Sequence, residues 1–156
     1  MRRAILGIVI GAVLLVVVHM YQTQDSTIAR HLLRQNEAAL EAVVTAMRED
    51  YVPGTTERRY TADDLARLTA IPAPRDEHVV LFHATHVYYD KDGRMLVQLL
   101  ARRTDYDDGD YRSLYLYYID AGYDGAGIPQ AARMTGKDLP ALGGGWYWWS
   151  RREHRG

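Results

Sequence analysis

The chain has 156 residues, 19 basic and 20 acidic, a net charge of −1 and no cysteine. A balance this close to neutral lacks the basic footprint of a nucleic-acid binder. The absence of cysteine excludes a disulfide-held scaffold, so stability has to come from a packed core.

Residues 4–21 (AILGIVIGAVLLVVVHMY) are apolar on every face, with no charged side chain. As a helix this run rises about 27 Å, close to the hydrocarbon core of a bilayer. Arg2 and Arg3 precede it and no acidic residue does, so the positive-inside rule predicts a cytoplasmic N-terminus and export of everything that follows. The residues after the apolar core, His19-Met20-Tyr21-Gln22, do not form a small-residue cleavage pattern, which predicts an uncleaved signal anchor. The expected location is the inner (plasma) membrane, single-pass, with residues 22–156 as one periplasmic or extracellular domain. Gly7 and Gly11 form a G-x-x-x-G pair, the spacing at which two membrane helices approach closely, and predict a possible homodimer through the anchor.

Beyond the anchor, residues 26–50 predict a helix, free of Gly and Pro, with Asp25 or Ser26 as its cap. Leu33, Leu40, Val43 and Met47 recur at helical spacing, a stripe suited to packing on the domain's own sheet. Pro53-Gly54-Thr55-Thr56 predicts a loop. Thr61-Ala62-Asp63-Asp64 then opens a short helix over 62–70, with Thr61 and Asp64 in a capping box and Tyr60 and Leu65 as its hydrophobic staple.

From residue 78 the pattern becomes that of strands. Residues 78–89, 94–104 and 111–119 predict an antiparallel meander, turning at Asp90-Lys91-Asp92-Gly93 and at the acidic segment 105–110. In the second of these strands Leu96, Gln98, Leu100 and Arg102 are expected on one face. A short helix is expected near Gln130–Met134, a fourth strand over 146–151, and a frayed tail after it. The fold class is α+β: a transmembrane helix, then a long and a short helix packed on a four-stranded antiparallel sheet.

No pattern names a reaction. His83 and His86 stand three apart on a predicted strand and point to opposite faces; His78 and His86 share a face but lie about 26 Å apart, so no metal site is predicted. The acidic turns lack calcium-loop spacing. The three serines sit in no nucleophile elbow, and Gly143-Gly144-Gly145 leads into aromatics rather than a phosphate-binding Lys. Neither a cofactor nor catalysis is expected.

The aromatic content stands out: twelve Tyr and three Trp against one Phe. Tyr111, Tyr115 and Tyr117 share one face of the third strand. Trp146 and Trp148 share one face of the last, with Tyr147 and Trp149 opposite. Side chains of this kind are enriched at protein interfaces. The candidate interaction face is therefore Tyr111, Tyr115, Tyr117, Trp146 and Trp148, and the expected function is a membrane-anchored, non-catalytic module that binds another envelope protein. An immunity or inhibitor protein against an envelope-acting toxin or hydrolase, and an anchored cell-wall-binding domain or enzyme, are the alternatives.

Overall fold

The computed structural model describes residues 24–69, 84–106, 109–125 and 136–154. The predicted anchor with Gly7 and Gly11, the start of the first predicted meander strand with His78 and His83, and the expected helix near Gln130 lie outside these residues. Among the described residues, no helix is long and apolar enough to cross a membrane.

The fold is α+β; the described residues form three helices and an antiparallel sheet of six strands rather than four. Helical residues 24–35 (α1) lead into α2 (Glu37–Glu49); β1 (Glu57–Thr61) and α3 (Ala62–Thr69) follow. Then come β2 (Ala84–Tyr89), β3 (Met95–Asp105), β4 (Asp110–Ile119), β5 (Ala141–Gly143) and β6 (Trp146–His154). The strand order is β1-β2-β3-β4-β6-β5. The two extra strands are the two sheet edges. β1 buries only Tyr60 among five residues, and β5 has three residues, so neither carries the alternation that marks a strand in sequence.

The predicted long helix is two helical segments. At Asn36 the backbone leaves helical geometry (φ −121°, ψ 17°), and its side-chain amide donates to the Leu32 carbonyl at 2.9 Å. An Asn side chain offers the backbone this competing bond, which is why Asn is poor inside helices. Asp25 does not cap. It lies within α1, and its carboxylate reaches the sheet, accepting from Ser150 Oγ and pairing with Arg112, both at 2.5 Å.

One face of the sheet is the main core. Ala29 and Leu32 of α1 and Leu40, Val43 and Met47 of α2 pack with Val87, Val97, Leu99, Leu114, Leu116 and Trp146, all nearly inaccessible. At α3 the expected capping box is present: the Asp64 amide donates to Thr61 Oγ1 at 3.2 Å, and the Thr61 amide donates to Asp64 Oδ2 at 2.9 Å. Tyr60 and Leu65 both sit in the main core. The Asp90–Gly93 hairpin also forms as expected. Gly93 takes φ 75°, and Asp90 Oδ1 accepts from the amides of Asp92 and Arg94, both at 2.9 Å.

Two features of the sheet depart from the sequence pattern. The register of β3 against β4 slips between Leu100 and Arg102, a β-bulge at Ala101. Arg102 then lies opposite Leu114 on the core face, not with Leu96, Gln98 and Leu100. Arg103 moves to the other face, opposite Ser113. The tail expected to fray is strand: β6 stays paired with β4 as far as His154 opposite Asp110, supported by an Arg152–Asp110 ion pair at 2.7 Å.

Candidate interaction face

The strand register determines which aromatic rings can act together. Along β4 and β6 the paired residues are Tyr118 with Trp146, Tyr117 with Tyr147, Leu116 with Trp148, Tyr115 with Trp149 and Tyr111 with Glu153. Directly paired residues share a face. Trp146 and Trp148 therefore stand on the helix side with Leu116 and Tyr118, while Tyr111, Tyr115 and Tyr117 stand on the outer face.

The five predicted residues are thus not one surface. Trp146 is a core residue, 7% exposed, with its ring edge-on to Tyr118 at 5.4 Å. Trp148 packs against the same core. Alternation within β6 places Trp146 and Trp148 together, but only the pairing with β4 shows which side the helices cover.

The outer face is itself divided. Its upper half is closed by the turn after β4 and the segment before β5, which bring Tyr123 and Leu139 onto Leu96, Tyr117 and Ile119 in a second, smaller core. Tyr117 is 4% exposed and accepts from Gln98 Nε2 at 3.2 Å. Burial pushes its phenol, and that of Tyr123, well above the ordinary range.

The lower half has no such cover among the described residues. Its rows are Leu100, Tyr115 and Trp149; then Arg103, Ser113 and Arg151; then Asp105, Tyr111 and Glu153. Trp149 is 42% exposed, and Tyr115 is half-buried beside it. Glu153 organises this half. It accepts from Tyr111 Oη at 2.5 Å and from Tyr115 Oη at 3.4 Å, and it pairs with Arg151. The Tyr111 hydroxyl, and after it Arg151, holds the Glu153 carboxyl below its ordinary range. The Arg103 guanidinium lies over the Tyr111 ring, 3.9 Å from its centre. The bulge at Ala101 makes that stacking possible.

Two of the clefts formed by the described residues lie elsewhere. One, of about 480 Å³, runs between β1 and α3. Its charges are engaged with one another: Asp50 accepts from Tyr60 Oη at 2.6 Å and pairs with Arg58, and Asp64 pairs with Arg67. The Tyr60 hydroxyl, then Arg58, lowers the Asp50 carboxyl. The other, of about 850 Å³, opens at the end of the sheet where the turns flanking β4 and β6 meet. Tyr118, Tyr123, Tyr147, Asp120 and Lys137 line it, and the wall is rich in glycine. Among the described residues no three His, Asp or Glu are grouped to hold a metal ion.

Comparison with protein families, characterised proteins and solved structures finds no match to this chain.

Sequence reasoning passed over Trp149, Arg103, Arg151 and Glu153. Alternation had already placed Trp149 opposite Trp146 and Trp148. Arg103 carries no sequence signal, since its face depends on the bulge. Arg151 and Glu153 fall at the end of the predicted strand and in the tail beyond it, where the pattern marks no face.

Proposed function

We propose that this chain is a membrane-tethered, non-catalytic protein-binding module, and that its partner, another protein of the cell envelope, docks on the lower half of the outer sheet face. One observation carries the reading: the same sheet face is closed over Tyr117 by Tyr123 and Leu139, yet among the described residues no such cover lies over half-buried Tyr111 and Tyr115 and exposed Trp149. The uncovered half is built from Tyr, Trp and Arg, the side chains that dominate binding hot spots. It is also pre-ordered. Glu153 ties down both tyrosine hydroxyls, and Arg103 is stacked, so little side-chain freedom is lost on docking.

The test is a photo-reactive amino acid placed at position 149 of the full-length chain in intact cells. The expected result is one dominant cross-linked envelope protein, absent when the probe replaces the exposed Val52. Equal labelling from the two positions, or none from either, refutes the reading.

The tyrosine-lined cleft at the sheet end favours a second reading, a cell-wall saccharide ligand. Aromatic rings beside carboxylate and ammonium groups suit a sugar's apolar face and hydroxyls. Binding of peptidoglycan fragments that is lost in Tyr147→Ala and kept in Trp149→Ala would select it.

A further inference from the structure

Among the described residues, the sheet has one long edge with no neighbouring strand. β5 pairs with β6 only at Trp146 and Tyr147, and the Trp148 amide donates to the Pro140 carbonyl at 3.1 Å. Beyond that point no described strand lies beside Trp149–His154 on the side away from β4. Backbone groups alternate sides along a strand. Since the Trp148 amide points outward, the N–H and C=O of Ser150, Arg152 and His154 do so as well.

We infer that this edge is occupied by the same edge of a second copy of the chain, joining two six-stranded sheets about a two-fold axis at Arg152. Two lines of observation select this occupant. The first is charge. With outward backbone facing outward backbone and the Trp148 amide already bound to Pro140, only an axis at Arg151, Arg152 or Glu153 lets more than one pair of the outward residues Ser150, Arg152 and His154 form. An axis at Arg151 sets two arginines against each other, and one at Glu153 sets two carboxylates against each other. An axis at Arg152 places Arg151 opposite the partner's Glu153, and Glu153 opposite the partner's Arg151, on the outer face. Ser150 then lies opposite the partner's His154. The two Arg152 side chains meet on the inner face, where each guanidinium already donates to Asp110 at 2.7 Å, so the axis carries two ion pairs rather than two bare cations.

The second line is the position of the N-terminal part of α1. Asp25 is bound to Ser150 at 2.5 Å, so this part of α1 stands against β6, near that edge. Two copies held together by anchors that meet at Gly7 and Gly11 would present these edges to each other at high effective concentration. The tethering rests on the expected anchor; the register follows from β6 alone. Joined in this way, the two Tyr-Trp-Arg half-faces form one continuous platform.

The chain has no cysteine, so single cysteines report contacts cleanly. In a hydrogen-bonded antiparallel pair the Cα atoms lie about 5.5 Å apart, inside the roughly 4.4–6.8 Å span a disulfide bridges. Full-length Arg152→Cys, oxidised mildly in membranes, should give about tenfold more covalent dimer than Val52→Cys beside the opposite edge. Co-expressed Arg151→Cys and Glu153→Cys chains should cross-link to each other more than either does to itself. This second measurement holds even if the loss of Arg152 disturbs folding. Dimer yields no higher than those of Val52→Cys in both experiments overturn the inference, and stronger self-linking of Arg151→Cys or Glu153→Cys overturns the register. The readout is a bond between two copies, so it is indifferent to whether the outer face binds anything else.

Discussion

Asp25 joins the N-terminal helix to the far strand of the sheet, and replacing it tests that join directly. Its side chain is 11% exposed and that of Arg112 is 23% exposed. In Asp25→Ala, Arg112 and Ser150 each lose a charge-assisted bond of 2.5 Å. Such losses cost about 1.5–3 kcal/mol each. The partial exposure of Arg112 lets water replace part of the interaction, and Arg112 keeps a longer contact to Ser150 at 3.4 Å. The combined destabilisation is therefore about 2–3 kcal/mol, a large part of the stability of a single domain. For a domain of this size the melting temperature falls by roughly 6–12 °C. The assay is thermal unfolding of the full-length chain in detergent, followed by near-ultraviolet circular dichroism, with Asp63→Ala as the control. Asp63 is exposed in the first turn of α3, and its removal costs at most about 1 kcal/mol. Asp25→Asn keeps one acceptor oxygen and should fall between the two. A drop of less than about 2 °C for Asp25→Ala would show that α1 is held by its apolar contacts alone.

Trp149→Ala should weaken partner binding by about 2 kcal/mol or more, some thirtyfold, with the melting temperature unchanged within about 2 °C. Tyr117→Ala should do the reverse and unfold the domain at lower temperature, because it opens a cavity among Leu96, Tyr123 and Leu139. Gly145→Ala should destabilise by about 1–3 kcal/mol on two counts: Gly145 sits at φ +84°, and a Cβ there would lie 3.0 Å from the Tyr118 ring. In acid titration, the stability contributed by Glu153 and Asp50 is full above their ordinary values of 4.5 and 3.8 and is lost as the pH falls through their lowered folded-state values. Unfolding curves between pH 6 and pH 2 should show this loss, and Glu153→Gln should flatten it. Buried Tyr89 and Tyr117 have phenols raised well above the ordinary 10, so their contribution is full below pH 10 and is lost as the pH rises through their raised folded-state values. Absorbance titration should then show these tyrosines ionising together with unfolding.

Much of this fold is local and could be read locally. The capping box of Thr61 and Asp64, the Asp90–Gly93 turn and the apolar stripe of Leu40, Val43 and Met47 depend on residues a few positions apart. Spacing within one element is enough to predict them. Alternation along β4 and β6 sorted each strand's aromatics into two faces for the same reason. The six-strand count and the break at Asn36 were less accessible. β1 owes its place to pairing with β2, and Asn36 is one polar residue in an otherwise favourable helix.

The amino-acid sequence by itself determined an apolar run with two arginines before it, the α+β order of elements and an excess of tyrosine and tryptophan on strands. Tertiary structure decided which of those rings face the helices and which face outward, because sidedness is a property of strand pairing and not of one strand. It placed Trp146 and Trp148 under α1 and α2, closed Tyr117 beneath Tyr123 and Leu139, and left Trp149 outside. A single inserted residue, Ala101, brought Arg103 over Tyr111 by shifting every following side chain of β3 to the opposite face. No periodicity within β3 announces that shift, since it appears only where β3 is aligned against β4.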